Sequence, residues 1–167
     1  MTDYDPKVMG EDHLHYELQM CIETHNLIRS GNLMILDQTI KNAVFESFAV
    51  RSRLLIEFFY GKPEKDDCSV LHFIEQSKEK IWEEFSRKQT SKANFNNLRM
   101  IVNKQVAHLT YFRLSNENTN WYEKAKEIAN DYVIPAIEKL AELHDPTKVG
   151  PKLRALLKLS QIRAKQI

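Results

Sequence analysis

Residues 33–60 read LMILDQTIKNAVFESFAVRSRLLIEFFY, and this stretch decides the fold. Leu36, Ile40, Val44, Phe48, Leu54, Leu55 and Phe58 recur at helical spacing, and Gly61 and Pro63 follow as stop signals. The spacing predicts one long helix with an apolar stripe. The same period appears on both sides of it. Over residues 9–29 it is carried by Leu14, Leu18, Cys21, Ile22 and Ile28, and Ser30, Gly31 and Asn32 end that run.

Downstream, residues 62–69 read as a charged loop in which Asp66 or Asp67 caps a third helix, faced by Leu71, Ile74, Ile81, Trp82 and Phe85. A fourth helix over 92–114 shows Phe95, Leu98, Ile101, Val102, Val106, Leu109 and Phe112. Asn120, with Glu123 three residues later, caps a fifth, whose face is Trp121, Ala125, Ile128, Tyr132, Ala136, Leu140 and Leu143. Pro135 is expected to kink it. The expected fold is all-α: an antiparallel bundle of four to five helices over 1–145, then a short basic C-terminal helix or tail over 146–167, carrying Leu153, Leu156, Leu157 and Leu159.

Composition agrees with that architecture. A chain of 167 residues with 43% hydrophobic content supports one core, and 4 Gly and 5 Pro are too few for the turns of an all-β fold. Cys21 and Cys68 have no CxxC spacing and no secretory signal precedes them, so a reducing cytoplasm is expected. No apolar run approaches the ~18–20 residues of a membrane span, which sets membrane insertion aside. The net charge of +1 is unevenly distributed: residues 146–167 hold six basic residues and no acidic one, leaving 18 basic against 23 acidic elsewhere. Such a segment reads either as a solvated helix or as an arm for nucleic acid or a protein partner.

Polar residues on the apolar faces are the functional signal. Arg51 falls within the stripe of residues 33–60, together with Ser47, and His25 follows Cys21 by four on the first helix. On the fourth helix Gln105 lies between Ile101 and Leu109, Arg113 lies beside Val106 and Leu109, and His108 sits at the arc's edge with Lys104 on its face. An inward guanidinium must find a counter-charge, carbonyls, water or a ligand, and Asp37 and Glu57 are candidate internal partners. These groups are therefore either a satisfied network that sets helix register or the walls of a polar cleft that binds anions. Histidine's ordinary pKa near 6.5 suits His108 to acid or base work. His13 and His15 are two apart and diverge on a helix, and no Cys or His spacing supports zinc, so neither metal nor cofactor is expected. Tyr111, Phe112, Trp121 and Tyr122 form an aromatic group suited to core packing or, if exposed, to base stacking.

Residues 102–114, VNKQVAHLTYFRL, and 120–143, NWYEKAKEIANDYVIPAIEKLAEL, resemble the C-terminal half of HEPN domains. That resemblance implies an α-helical bundle of the kind found in bacterial toxins and antiviral systems. In the ribonuclease members an Arg, four to six residues and a His lie near one helix, and two copies dimerise to form one RNA-cutting site. His108 matches the histidine. Asn103 stands where the arginine would be with four intervening residues, and Arg99 lies too far upstream. The resemblance implies a homodimer that binds RNA or a nucleotide and cleaves RNA without metal. His108 would be its acid or base, Arg51, Arg113 or Lys104 would stand in for the missing charge, and Gln105 and His25 would serve binding. The contrasting readings are a non-enzymatic interaction bundle using its basic C-terminal segment and a binder of small anions clamped by Arg51 and Arg113.

Overall fold

The computed structural model describes residues 5–103 and 120–164, and the regular structure among them is helical. Helix α1 spans 6–29, three residues earlier than the apolar spacing predicts, because Asp5 accepts from the Lys7 N–H at 2.8 Å and Pro6 opens the first turn. A wide turn over Gly10–Leu14, where the His15 N–H reaches back five residues to the Gly10 carbonyl, interrupts it. A Cβ on Gly10 would stand 3.0 Å from the Phe73 ring and 3.1 Å from Leu153, so glycine lets this turn approach both.

Helix α2 spans Gln38–Tyr60 and not 33–60. Gly31, at φ 73°, turns the chain into a short 3-10 turn over Asn32–Ile35, and the Asp37 side chain then caps α2 by accepting from the Thr39 N–H at 2.7 Å. The buried face follows the expected stripe in part: Phe48, Leu55 and Phe58 of it are buried. Phe48, Ser52, Leu55, Ile56 and Phe59 are inside, whereas Ile40 and Leu54 are 49% and 45% exposed. The apolar arc of α2 is wider than its neighbours cover. Gly61 ends it where a Cβ would sit 2.4 Å from the Glu57 carbonyl.

The third region is broken where one helix was expected. Val70–Phe73 and Gln76–Lys78 are 3-10 turns, the first capped by Ser69 and His72, and helix α3 occupies Glu79–Thr90. Asp67 closes a loop turn by accepting from the Glu64 N–H, and Ile81 lies 46% exposed while Trp82 is buried. An isolated antiparallel bridge joins Ile74 to His144 and ties this region to the far end of the chain's next long helix. Helix α4, Phe95–Ile101, buries Phe95, Leu98, Ile101 and then Val102, in the expected register.

Helix α5 spans 121–143. Asn120 caps it as predicted, accepting from the N–H groups of Tyr122 and Glu123 at 3.1 and 3.4 Å. Its interruption is a wide turn over Ala129–Val133, immediately before Pro135. Proline has no N–H to donate and its ring crowds the carbonyl four residues back. That carbonyl, of Asp131, accepts instead from Lys92 Nζ at 3.0 Å, and the Tyr132 carbonyl accepts from the Tyr60 hydroxyl at 2.8 Å. The Tyr132 ring is fully buried, with its hydroxyl donating to Asn94 Oδ1 at 2.7 Å.

Helix α6, Pro151–Ala164, packs against α5 and carries Leu153 and Leu157, both buried. The Glu11 carboxylate of α1 accepts from the Lys152 and Leu153 N–H groups at 3.1 and 3.0 Å, capping α6 from across the molecule. Gly150 clears the way, since its Cβ would meet Glu11 Cγ at 2.4 Å. The basic segment is thus part of the bundle's packing. No helix among the described residues is long and apolar enough to cross a membrane.

Candidate functional site

Helices α1 and α2 pack antiparallel, and a column of polar groups runs along the seam. Glu17, Cys21 and His25 are four residues apart and share one face of α1. Opposite them, Arg51 Nη1 donates to Glu17 Oε2 at 2.9 Å, Ser52 lies 3.8 Å from the Cys21 sulfur, and the Phe48 ring centroid is 6.1 Å from that of His25.

Arg51 therefore points inward at the edge of the seam, with a side chain 19% exposed and an equally shielded carboxylate as its partner. Its guanidinium carbon also stands 5.2 Å from the centre of the Tyr16 ring, whose hydroxyl lies 3.4 Å from Nη2. Neither carboxylate expected from the sequence is the partner. Asp37 caps α2, and Glu57 accepts both Nε and Nη2 of Arg99, at 2.8 and 2.9 Å. Sequence reasoning missed Glu17, although its spacing of four and eight from Cys21 and His25 put it on the same face.

The electrostatics of the seam oppose catalysis by its own members. Burial pushes the Cys21 thiol up to about 12, outweighing the Ser52 hydrogen bond and the Arg51 charge that pull it down. Burial, aided by the Arg29 charge, lowers the pKa of His25 and favours the neutral ring. Two polar atoms stay buried without a hydrogen-bond partner, His25 Nε2 and Arg51 Nε. The seam holds register by one shielded ion pair and leaves these two atoms unsatisfied.

Asn103 lies one turn beyond Arg99 on the extension of α4. It is half-buried, and its Oδ1 is sealed from solvent without a hydrogen-bond partner. The other site residues expected from the sequence, Lys104, Gln105, His108 and Arg113, lie outside the described residues, as do Tyr111 and Phe112 of the aromatic group. The structure thus sets Arg51 and His25 on one seam and Asn103 at the end of a different helix. Tyr122 packs edge-on against Phe45, 5.1 Å between centroids, so this member of the aromatic group serves packing. Among the described residues no group of three or more His, Cys, Asp or Glu is placed to hold a metal ion.

Comparison with protein-family models, with curated proteins and with solved structures finds no match for this chain.

Proposed function

We propose that this chain is a HEPN-like RNA-binding bundle that cleaves RNA without metal, with His108 moving the proton and Asn103 seating the ribose. Its support is the resemblance of residues 102–143 joined to an all-α architecture. The single observation that carries it is Asn103. At the position where the family motif has arginine, a carboxamide oxygen is buried and unpartnered, and such an atom costs free energy unless something hydrogen-bonds to it. A ribose 2′-hydroxyl is a donor of the right kind, once the end of α4 opens to admit it.

In this reading the 2′-oxygen attacks the adjacent phosphorus as its proton passes to the His108 imidazole. The O2′–P bond forms, the bond to the 5′-oxygen breaks, and that oxygen leaves taking a proton from water, giving a 2′,3′-cyclic phosphate, a free 5′-hydroxyl and hydroxide, which the His108 imidazolium neutralises. An amide carries no charge, so Asn103 orients but does not neutralise the pentacoordinate phosphate. That cation is assigned to Arg113 or Lys104, because Arg51 is already committed to Glu17. The commitment of Arg51 also weakens the reading of an anion clamped between Arg51 and Arg113.

The test is incubation of the purified protein with mixed RNA in the presence of a chelator, beside His108→Ala and Asn103→Ala. Cleavage to cyclic-phosphate ends is expected from the native chain, with loss in the first variant and a reduced rate with retained binding in the second. No cleavage by the native chain removes the enzymatic half, and no retention of RNA on a filter removes the whole. The role as a homodimer is read from sedimentation of the same preparation.

One observation favours a second reading, a non-enzymatic interaction module. Lys152, Lys158 and Leu159 are exposed on α6, a basic surface with an apolar spot. Deleting α6 would strip Leu153 and Leu157 from the core, so the informative variant is Lys152→Glu with Lys158→Glu. Loss of a captured acidic partner in this variant, from a chain whose native form cleaves no RNA, would select this reading.

A further inference from the structure

A cleft of about 310 Å³ opens where the end of α2 and the Ser69–Leu71 segment meet α3. Its size falls at the lower end of small-molecule sites. The floor is aromatic: Phe58, Phe59 and Trp82 line it, with the Phe59 ring 5.9 Å from Trp82 and 5.1 Å from Phe58. The mouth is polar. Glu83, Ser86 and Arg87 occupy one face of α3 at spacings of three and four and line one side of the cleft together.

The two charged groups of this mouth are exposed, and neither side chain makes an ion pair or hydrogen bond with a described residue. Nearby, Lys78 pairs with Glu75, Arg99 with Glu57, and Lys139 with Glu142. An apolar aromatic floor below one uncommitted cation and one uncommitted anion matches a particular chemistry. A planar guanidinium takes a carboxylate in two parallel hydrogen bonds, a carboxylate takes an ammonium, and the aromatic floor takes a ring.

We infer that this cleft binds a small aromatic zwitterion of amino-acid size, with its ring against Phe58, Phe59 and Trp82, its carboxylate on Arg87 and its ammonium on Glu83. The site uses none of the residues in the preceding proposal, so either stands without the other. Its chemistry is recognition, with no bond made or broken.

Three probes that share one ring separate the contributions: L-phenylalanine, phenylpropionate, which lacks the amine, and phenethylamine, which lacks the carboxylate. Binding is read by saturation-transfer NMR and calorimetry on the full chain. L-Phenylalanine is expected to bind more tightly than either fragment. Arg87→Gln should weaken L-phenylalanine and phenylpropionate about tenfold and spare phenethylamine, as loss of one charge-assisted contact predicts. Glu83→Gln should do the reverse. Both side chains are exposed, so the variants leave the core untouched, and an unchanged melting temperature confirms it. No saturation transfer from L-phenylalanine at millimolar concentration overturns the inference. So does equal binding of all three probes with no response to either variant, since that describes an apolar notch without recognition of the charges.

Discussion

The α1–α2 seam and the kink of α5 both bring polar groups into the interior, and they do so in opposite ways. At the kink, Pro135 denies a hydrogen bond to a backbone carbonyl, and each carbonyl at issue is met: Asp131 by Lys92, Tyr132 by Tyr60. The Tyr132 hydroxyl is met by Asn94, whose amide donates in turn to Glu127. Along the seam, one ion pair is made and two buried nitrogens have no partner. The kink is a closed network that locks two helices and the loop before α4 together. The seam is a register device with polar capacity left over, and the leftover capacity should cost stability without specifying much.

The largest effect that separates the two is expected at Tyr132. Replacing it with Ala removes a fully buried ring and strands Asn94. The expected loss is about 3–5 kcal/mol by the usual cost of emptying a core aromatic site, read as a lower urea midpoint with an unchanged slope. A loss below about 1 kcal/mol would mean the kink is not the organising centre.

The next effect tests the seam. Glu17→Gln should cost about 1–3 kcal/mol, because it leaves the shielded Arg51 guanidinium facing a neutral amide. Combining Glu17→Leu with Arg51→Met should recover most of that loss, since a shielded ion pair can be replaced by apolar packing of similar volume. Failure of the double variant to recover would make the pair part of a functional surface and restore Arg51 as a candidate for phosphate contact.

A smaller effect is expected at the α1–α6 junction, the third place where a polar group crosses the molecule. Burial pulls the Glu11 carboxyl upward, but bonds from the Leu153 and Lys152 N–H groups and the Lys152 charge outweigh it, and its pKa falls below the usual value. A carboxyl with a lowered folded pKa stabilises above its unfolded value and loses that contribution as pH falls through the folded one. Glu11→Gln should therefore expose the α6 amides to faster hydrogen exchange at neutral pH, by about 1 kcal/mol of local opening. It should also remove the acid-induced opening below the carboxylate range.

These differences show what the sequence could disclose. The all-α class and the cap at Asn120 were legible because they depend on local period and local hydrogen bonding. The α4 register and the inward face of Arg51 followed from the same signal. The start of α2 was misread because Leu33, Met34, Ile35 and Leu36 continue the apolar run although Asp37 resets the helix. The exposure of Ile40 and Leu54 was invisible because period shows where an apolar arc lies and not how much of it neighbours cover. Partners across the fold were the least legible: Glu17 for Arg51, Glu11 for α6 and Lys92 for the proline kink are each set by packing between distant segments. Asn103 drew attention only through a motif it fails to match, and its unpartnered oxygen is a fact of tertiary structure alone.

The smallest expected effect lies at His25, and it bears most directly on whether the seam is merely tolerated. Burial and then the Arg29 charge depress the pKa of this ring in the folded chain. The unfolded chain therefore binds the proton more readily, and stability falls as pH drops below the ordinary histidine value near 6.5, until the folded ring also protonates. Among the described residues, Phe48 faces it across the seam, and Cys21 and Arg29 lie on its own helix, one turn to either side. None of them is a carboxylate that would welcome the imidazolium. His25→Phe should keep the ring packing against Phe48, remove the buried unpartnered Nε2, and leave stability equal or higher at pH 7. It should also flatten the slope of melting temperature between about pH 6.5 and 5, the window set by the ordinary histidine value. If the slope persists in the variant, the acid sensitivity belongs to carboxylates with a lowered pKa such as Glu11. If stability at pH 7 falls sharply instead, the imidazole makes a hydrogen bond that closes the seam as fully as the kink, and the contrast between the two regions disappears.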